Sequence, residues 1–385
     1  MVIITQGVYG EKHKIGENRS FRTLLLPPLL LLLGAMLLRP ELTVTAAKGG
    51  LTLWAGAVVP SLLPFFILSE LLVAAGAARA AGRLLSPLMR PLFDLPGAAA
   101  LGLVMGFCSG FPTGAAVAAA LRRQGLITAE EGGRLAAFTN NAGPLYLTVT
   151  VASALLDLPQ AAWLLAAGHY GVNMLLGVAL GLVSRHSGRP RLAASPLTER
   201  MTQPDSGPAS PPAPMMKAAA QRAAANLILI GCYMTFFSVA AAQLTPGPGV
   251  SPLLRFFLSG VWEMTLGLNA LSGSGLELGL LLPLAAAQLA LGGLSVQLQV
   301  LSLLADTDIS PRLYLLSRPV HAVLAALFTR WALGRAALPL TAGGAVPAGG
   351  TVTLLSSRTL LSHSLALTGA AALFFLLAAR LSRRG

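Results

Sequence analysis

Residues 107–147 read FCSGFPTGAAVAAALRRQGLITAEEGGRLAAFTNNAGPLYL, and the reading of this stretch decides the fold. Two apolar, helix-like pieces are interrupted by polar, glycine-rich elbows. The first elbow is Ser109-Gly110-Phe111-Pro112-Thr113-Gly114, and the second is Asn140-Asn141-Ala142-Gly143-Pro144. Glycine frees the backbone and proline removes a donor, so each elbow leaves backbone polar groups outside the i to i−4 ladder. Flanks this apolar belong in lipid, where non-helical backbone survives only if it is buried in protein or lines a polar cavity. Breaks of this kind are the best sequence pointer to a transporter binding site.

The rest of the chain agrees with a membrane setting. Of its 385 residues 55% are hydrophobic and only 11% charged, with a mean hydropathy of +0.71. A soluble domain carries about 25% charged residues. The apolar runs are long and rich in Leu and Ala, which excludes the alternating strands of an outer-membrane barrel. Cys108 and Cys232 both lie in apolar segments and suggest neither a disulfide scaffold nor a metal site. The net charge of +13 gathers at the ends of apolar segments, which points to a bilayer rather than to nucleic acid. No small-residue cleavage site follows the apolar run from Leu24 to Leu38, so that run reads as a retained span.

The expected architecture is an all-α polytopic membrane protein. Spans are expected at 21–38, 51–76, 134–156, 160–183, 224–244, 276–305, 318–338 and 359–380. Segments 97–124 and 253–274 are broken in the middle, and each arm falls short of the roughly 20 residues of a full crossing. They read as re-entrant hairpins. With the N-terminus inside, 21 of the 27 Lys and Arg fall on the cytoplasmic side, including Arg122, Arg134, Arg222 and Arg318. The same count puts the C-terminus inside. Segment 79–94, with three arginines and two prolines, reads as lying along the cytoplasmic interface.

The second half repeats this plan. Gly260-Val261-Trp262-Glu263-Met264-Thr265-Leu266-Gly267 breaks the second hairpin, and Leu291-Gly292-Gly293-Leu294-Ser295-Val296-Gln297 breaks the following span. Hairpin then broken span occurs twice with closely similar spacing, the first hairpin entering from inside and the second from outside. That is an inverted repeat. The chain therefore divides into an N-terminal tail and first span (1–50), a first repeat (51–183), a Pro/Arg-rich cytoplasmic linker (184–222), a second repeat (223–338), and a loop with a last span (339–385).

Four motifs carry a resemblance to a known family. They are SGFPTGA from Ser109, GLIT-x-EE-x-x-RL-x-AF-x-NNAGPLY from Gly125, EMTLG from Glu263, and GGLSVQLQV-x-S-x-L-x-x-TDI from Gly292. Together they are very similar to the family of the sporulation integral membrane protein YlbJ, over about Trp54 to Leu333. The resemblance implies two nucleoside-recognition (Gate) domains and a concentrative-nucleoside-transporter-like core. It also implies a role in forming the spore cortex, in the mother-cell or forespore membrane of a spore-forming bacterium.

Glu263 is the sharpest single candidate. An acid within apolar sequence costs roughly 2.5–3.5 kcal/mol on insertion scales, so it faces a partner or a cavity. It reads as a substrate hydroxyl acceptor or a proton or sodium ligand, against an interfacial cap. Asn140 and Asn141 can donate and accept toward a nucleobase or sugar, or can satisfy backbone freed by Pro144. Ser109 and Thr113 flank the first tip, and Thr265, Ser295 and Gln297 are their counterparts in the second half. These eight residues are expected to line one substrate-binding cavity, while Gln299 reads as packing. His169 and Asn173 share a helix face, as a proton relay or as interhelical hydrogen bonding. His321 reads as structural or interfacial. Asp306 and Asp308 read as a helix cap partnered by Arg312 or Arg318, and Glu70 as a partner for an arginine of 79–94.

No phosphate loop, metal-spaced cluster or catalytic set appears in the sequence, so no enzyme is expected. No cofactor is expected beyond a coupling ion, Na+ or H+. The expected partners are the lipid bilayer and a small polar solute, and for assembly a second copy or other sporulation membrane proteins; nucleic acid is not among them. The rival reading is a non-transporting membrane scaffold for spore-envelope assembly.

Overall fold

Proline, glycine and a few left-handed residues set the element boundaries. The computed structural model describes residues 19–186, 212–245 and 249–335, and all regular structure among them is helical. Helices α1 (Arg19–Leu38) and α2 (Pro40–Leu53) meet at 104°. Pro40 opens α2 at the first helical position, where its missing N–H costs nothing. Helix α2 continues through a π-helical turn, Trp54–Val58, into α3 (Val59–Ala74). The loop that the expected spans 21–38 and 51–76 leave between them is therefore helical almost throughout.

Helix α4 (Ala77–Phe93) is bounded by left-handed residues, Gly76 (φ 77°) and Asp94 (φ 52°). It turns by 91° into the segment Gly97–Ser109. That segment ends in α5 (Ala100–Ser109), and α6 (Thr113–Arg123) packs back against it. Helix α7 (Ala129–Thr139) starts on a capping box. Thr128 Oγ1 accepts from the Glu131 N–H at 3.2 Å, and the Glu131 carboxylate accepts from the Thr128 N–H at 2.8 Å. After a break at 140–143 the chain resumes as a π-helical stretch, Tyr146–Leu155. Next come α8 (Ala162–Ala166), a π-helical turn at Ala167–Gly171, and α9 (Val172–His186).

Helix α10 spans Pro212–Leu244, so residues 212–222, at the end of the stretch read as linker, are helical. Helices α11 (Pro252–Trp262) and α12 (Met264–Ser272) form the second hairpin, broken at the extended residue Glu263. Helices α13 (Leu278–Leu291) and α14 (Gly293–Ala305) are separated by Gly292 at φ 82°. Helix α15 (Arg312–Leu333) closes the described chain. Among the described residues three helical runs, Pro159–His186, Pro212–Leu244 and Leu278–Ala305, are long and apolar enough to cross a membrane, or up to five if each of the two bent pairs is one span. The span expected at 359–380 and the loop at 339–352 lie outside the described residues.

Close packing depends on glycine at the crossings. A Cβ on Gly106 would sit 2.2 Å from the Thr139 carbonyl oxygen, and one on Gly114 would sit 2.5 Å from it. Helices α5 and α6 thus straddle the end of α7 at backbone contact, the small-residue packing typical of membrane helices. The first hairpin, α4 and α7 enclose one apolar core, with Phe93 and Phe138 stacked at 5.0 Å. The second hairpin, α8, α13 and α15 enclose another.

The polar ties at the margins complete the fold. Glu70 pairs with Arg222 of α10 at 2.7 Å, while the side chains of Arg79 and Arg83, two of the partners expected for it, lie outside those described. Asp308 makes a two-pronged pair with Arg122 at 2.7 Å, not with Arg312 or Arg318. That contact holds the Asp308 carboxyl below its usual range.

Candidate functional site

All four breaks meet at one cavity of about 350 Å³. Cys108, Ser109 and Phe111 come from the first tip, and Ala142 to Tyr146 from the broken span. Glu263, Met264 and Thr265 come from the second tip, and Ser295, Val296 and Gln299 from the start of α14. Apolar residues of α2, α3 and α10 complete the wall.

At the second tip the chain is extended at Glu263 (φ −143°, ψ 125°), which leaves the first turn of α12 without backbone partners. The Glu263 side chain supplies them. One carboxylate oxygen accepts from the Leu266 N–H at 2.9 Å, and the other accepts from the Thr265 hydroxyl at 3.2 Å. Glu263 is therefore both the N-cap of α12 and, at 4% exposure, the only acid in the described wall. The Thr265 hydroxyl lies 3.0 Å from the Tyr146 hydroxyl, so a hydroxyl chain links the second tip to the first broken span. Ser295 Oγ accepts from Gln299 at 3.2 Å, and the Ser109 hydroxyl lies 2.9 Å from that of Thr113.

Ser109, Glu263, Thr265 and Ser295 thus line the cavity as expected, and the other four candidates do not. Thr113 stands behind Ser109. Asn140 Oδ1 accepts from the Ala115 N–H at 3.0 Å, and its Nδ2 donates to the Ala136 carbonyl at 2.7 Å. It joins the start of α6 to the end of α7. Asn141 Oδ1 accepts from Asn173 at 2.6 Å, and Gln297 donates to the Leu291 carbonyl. These amides satisfy backbone and side-chain groups freed by the breaks. Conversely Gln299, read as packing, lines the cavity, and its i, i+4 spacing from Ser295 on α14 could have placed it there. Tyr146 was missed although it ends the NNAGPLY motif.

Behind the elbow lies a buried polar cluster. Arg318, expected at the cytoplasmic end of a span, is 1% exposed. Its guanidinium donates to the carbonyls of Ala137 and Asn140 (2.9 Å for Asn140) and to Asn173 Oδ1 at 3.3 Å. The carbonyl end of a helix carries partial negative charge, so α7 offsets this cation where no carboxylate is near. His169 and His321 lie beside it with ring centres 4.9 Å apart and ring planes tilted by 40°. His169 accepts from the Ala142 N–H at 2.9 Å, and the Tyr170 hydroxyl donates to the Ala142 carbonyl at 2.7 Å. A second cavity of about 450 Å³ lies further along α3, α6, α10 and α14, next to the Glu70–Arg222 pair. No group of three or more metal-ligating side chains occurs among the described residues.

An apolar helical chain whose broken helices converge on one cavity, with a few polar side chains in a mostly apolar wall, is an integral membrane protein built around that cavity. The nucleoside-recognition (Gate) family matches residues 55–156, from the π-helical turn before α3 to the end of the first broken span. The sporulation integral membrane protein YlbJ of Bacillus subtilis (strain 168) is 33% identical over 340 residues, covering 80% of this chain and 82% of that protein. The chain belongs to the YlbJ family of sporulation integral membrane proteins. No solved structure matches it.

Proposed function

We propose that this protein is transporter-like, recognising or moving a small polar, nucleoside-like solute across a membrane of the sporulating cell, and that spore cortex formation needs it. The observation that carries the reading is the convergence of both hairpin tips and both broken spans on one cavity whose wall holds Glu263. At about 350 Å³ the cavity is at the small end of ligand pockets, which suits a nucleoside-sized solute better than a lipid-linked precursor. Phe111 and Tyr146 offer ring faces for a base, and Glu263, Ser109 and Gln299 offer acceptors and donors for hydroxyls.

The inverted repeat belongs to the same proposal, with residues 51–183 and 223–338 as the two Gate units. A repeated contact supports it. A Cβ on Gly143 would meet the Ser109 carbonyl oxygen at 2.6 Å, and one on Gly293 would meet the Gly260 carbonyl oxygen at 2.9 Å. In each half the break of the span is seated on the tip of the preceding hairpin. The chain is multi-pass with both termini cytoplasmic, in the mother-cell or forespore membrane. It performs no catalysis, and Na+ or H+ serves as the coupling ion. Self-association or other sporulation membrane proteins are its macromolecular partners.

Uptake of radiolabelled nucleosides and cell-wall precursors into proteoliposomes tests this reading. Wild-type protein accumulates at least one nucleoside, and Glu263→Gln, which keeps the cap shape and loses the charge, abolishes uptake at normal protein level. If no solute accumulates and a Glu263→Gln strain forms heat-resistant spores with normal cortex, the scaffold reading replaces it.

A further inference from the structure

We propose that His169 is a proton-binding site, and that filling it releases the elbow that lines the cavity. The Ala142 N–H donates to His169 Nε2 at 2.9 Å. Nε2 must therefore hold its lone pair, and the ring proton sits on Nδ1, which is buried and has no hydrogen-bond partner among the described residues. The tautomer of His321 follows in the same way. Its Nδ1 accepts from Arg318 at 3.5 Å, and its Nε2 donates to the His169 carbonyl at 2.9 Å.

A second proton on His169 turns Nε2 from acceptor to donor. Two donors would then face each other at 2.9 Å in a site with no room for solvent, since His169 is 0% exposed. The ring and the Ala142 N–H must part. Ala142 begins the run Ala142–Tyr146 that lines the cavity, and Gly143 rests on the backbone of Ser109 and Gly110. Parting the bond therefore shifts the cavity wall and the seat of the first hairpin tip together.

The surroundings make this a two-state device. Facing His169 from α15 are the Arg318 cation and His321, with Tyr314 beneath Arg318 at 5.2 Å. Tyr170 follows it in sequence, and Phe107 of α5 packs on the Tyr170 ring, with Cys108 next in the chain. Helix α13, which also touches this turn, carries no titratable side chain. No carboxylate of the neighbouring elements faces the ring. The closed elbow thus excludes the second proton, and the open elbow admits it at an ordinary imidazole. Opening is then linked to proton uptake, so the open population rises about tenfold for each pH unit below roughly 6.5 and is level above it. The inference stands whether or not a solute moves. If one does, H+ is the coupling ligand of the Proposed function.

Hydrogen–deuterium exchange of the full chain in lipid nanodiscs, between pH 4.5 and 8, tests this. Exchange of the peptide 139–147 is divided by that of 278–291 in the same sample, which removes the intrinsic pH dependence. The expected ratio is level from pH 8 to 7 and rises about tenfold per unit below about 6.5. His169→Gln, whose amide oxygen still accepts from Ala142 but gains no proton, keeps the ratio level throughout. Glu263→Gln keeps the wild-type rise. A level wild-type ratio down to pH 4.5, a rise that survives His169→Gln, or a rise lost in Glu263→Gln each overturns the proposal. Should His169→Gln not fold, Tyr170→Phe takes its place. Removing the other elbow bond raises the ratio at every pH and leaves its pH dependence, and loss of that dependence overturns the proposal equally.

Discussion

Asn140 was expected to touch the solute and is found binding two helix ends, and Asn140→Ala separates the roles. The side chain satisfies a buried donor at the start of α6, the Ala115 N–H, and a buried acceptor near the end of α7, the Ala136 carbonyl. Alanine removes both partners in a site cut off from solvent, since Asn140 is 0% exposed. Each buried group left unpaired costs about 1–3 kcal/mol, so the substitution destabilises the protein by about 2–6 kcal/mol. Asn140→Asp keeps the acceptor for Ala115 and loses the donor for Ala136, and buries a charge in the exchange. Equilibrium unfolding in mixed micelles at rising SDS fraction, followed by tryptophan fluorescence, reads both changes. The fraction of Asn140→Ala that remains folded should bind solute as wild type does. An Asn140→Ala protein within about 0.5 kcal/mol of wild type, or one fully folded that has lost solute binding, would refute the reasoning.

Gly106→Ala places a Cβ 2.2 Å from the Thr139 carbonyl oxygen and should sharply lower the yield of folded protein in size-exclusion chromatography, whereas Gly171→Ala, with nothing within 4 Å, should not. Tyr146→Phe removes the hydroxyl bridge to Thr265 and should cost about 0.5–1.5 kcal/mol in the same SDS titration. The Arg122–Asp308 pair predicts a pH dependence. Because Asp308 titrates below its ordinary value in the folded state, the pair's contribution is complete above the unfolded value of about 3.9 and is lost as pH falls through the lower folded value. Asp308→Asn should therefore cost about 0.2–1 kcal/mol at pH 7, and the difference from wild type should vanish in strong acid.

The breaks were legible because glycine and proline state their backbone consequences directly. Ser109, Glu263, Thr265 and Ser295 could be assigned to the cavity because each stands at a break with few alternatives for a short polar or acidic side chain. Asn140 and Asn141 could not, since an amide serves backbone and solute with the same two groups, and only the fold shows which is nearer. The burial of Arg318 was not legible for a different reason. Cations at span ends normally face the cytoplasm, and nothing local in Leu316-Ser317-Arg318-Pro319 announces that the carbonyl end of α7, 178 residues earlier in sequence, lies against it. The helical start of α10 was readable from its Met, Ala, Lys and Gln content, but the proline-rich stretch before it masked the change.

The glycine seats have a mechanical meaning. Where Gly143 lies on Ser109 and Gly293 lies on Gly260, main chain touches main chain, and there is no rotamer to absorb a displacement. Each tip and its elbow are therefore stiffly geared, and a push on one arrives at the other undiminished. Several ties between the first half of the chain and the second are made by side chains: Tyr146 to Thr265, Trp54 to the Leu227 carbonyl, Glu70 to Arg222, Arg122 to Asp308. Those can swing and re-pair at small cost. A displacement of either tip is also a displacement of its own elbow, and so of the cavity wall.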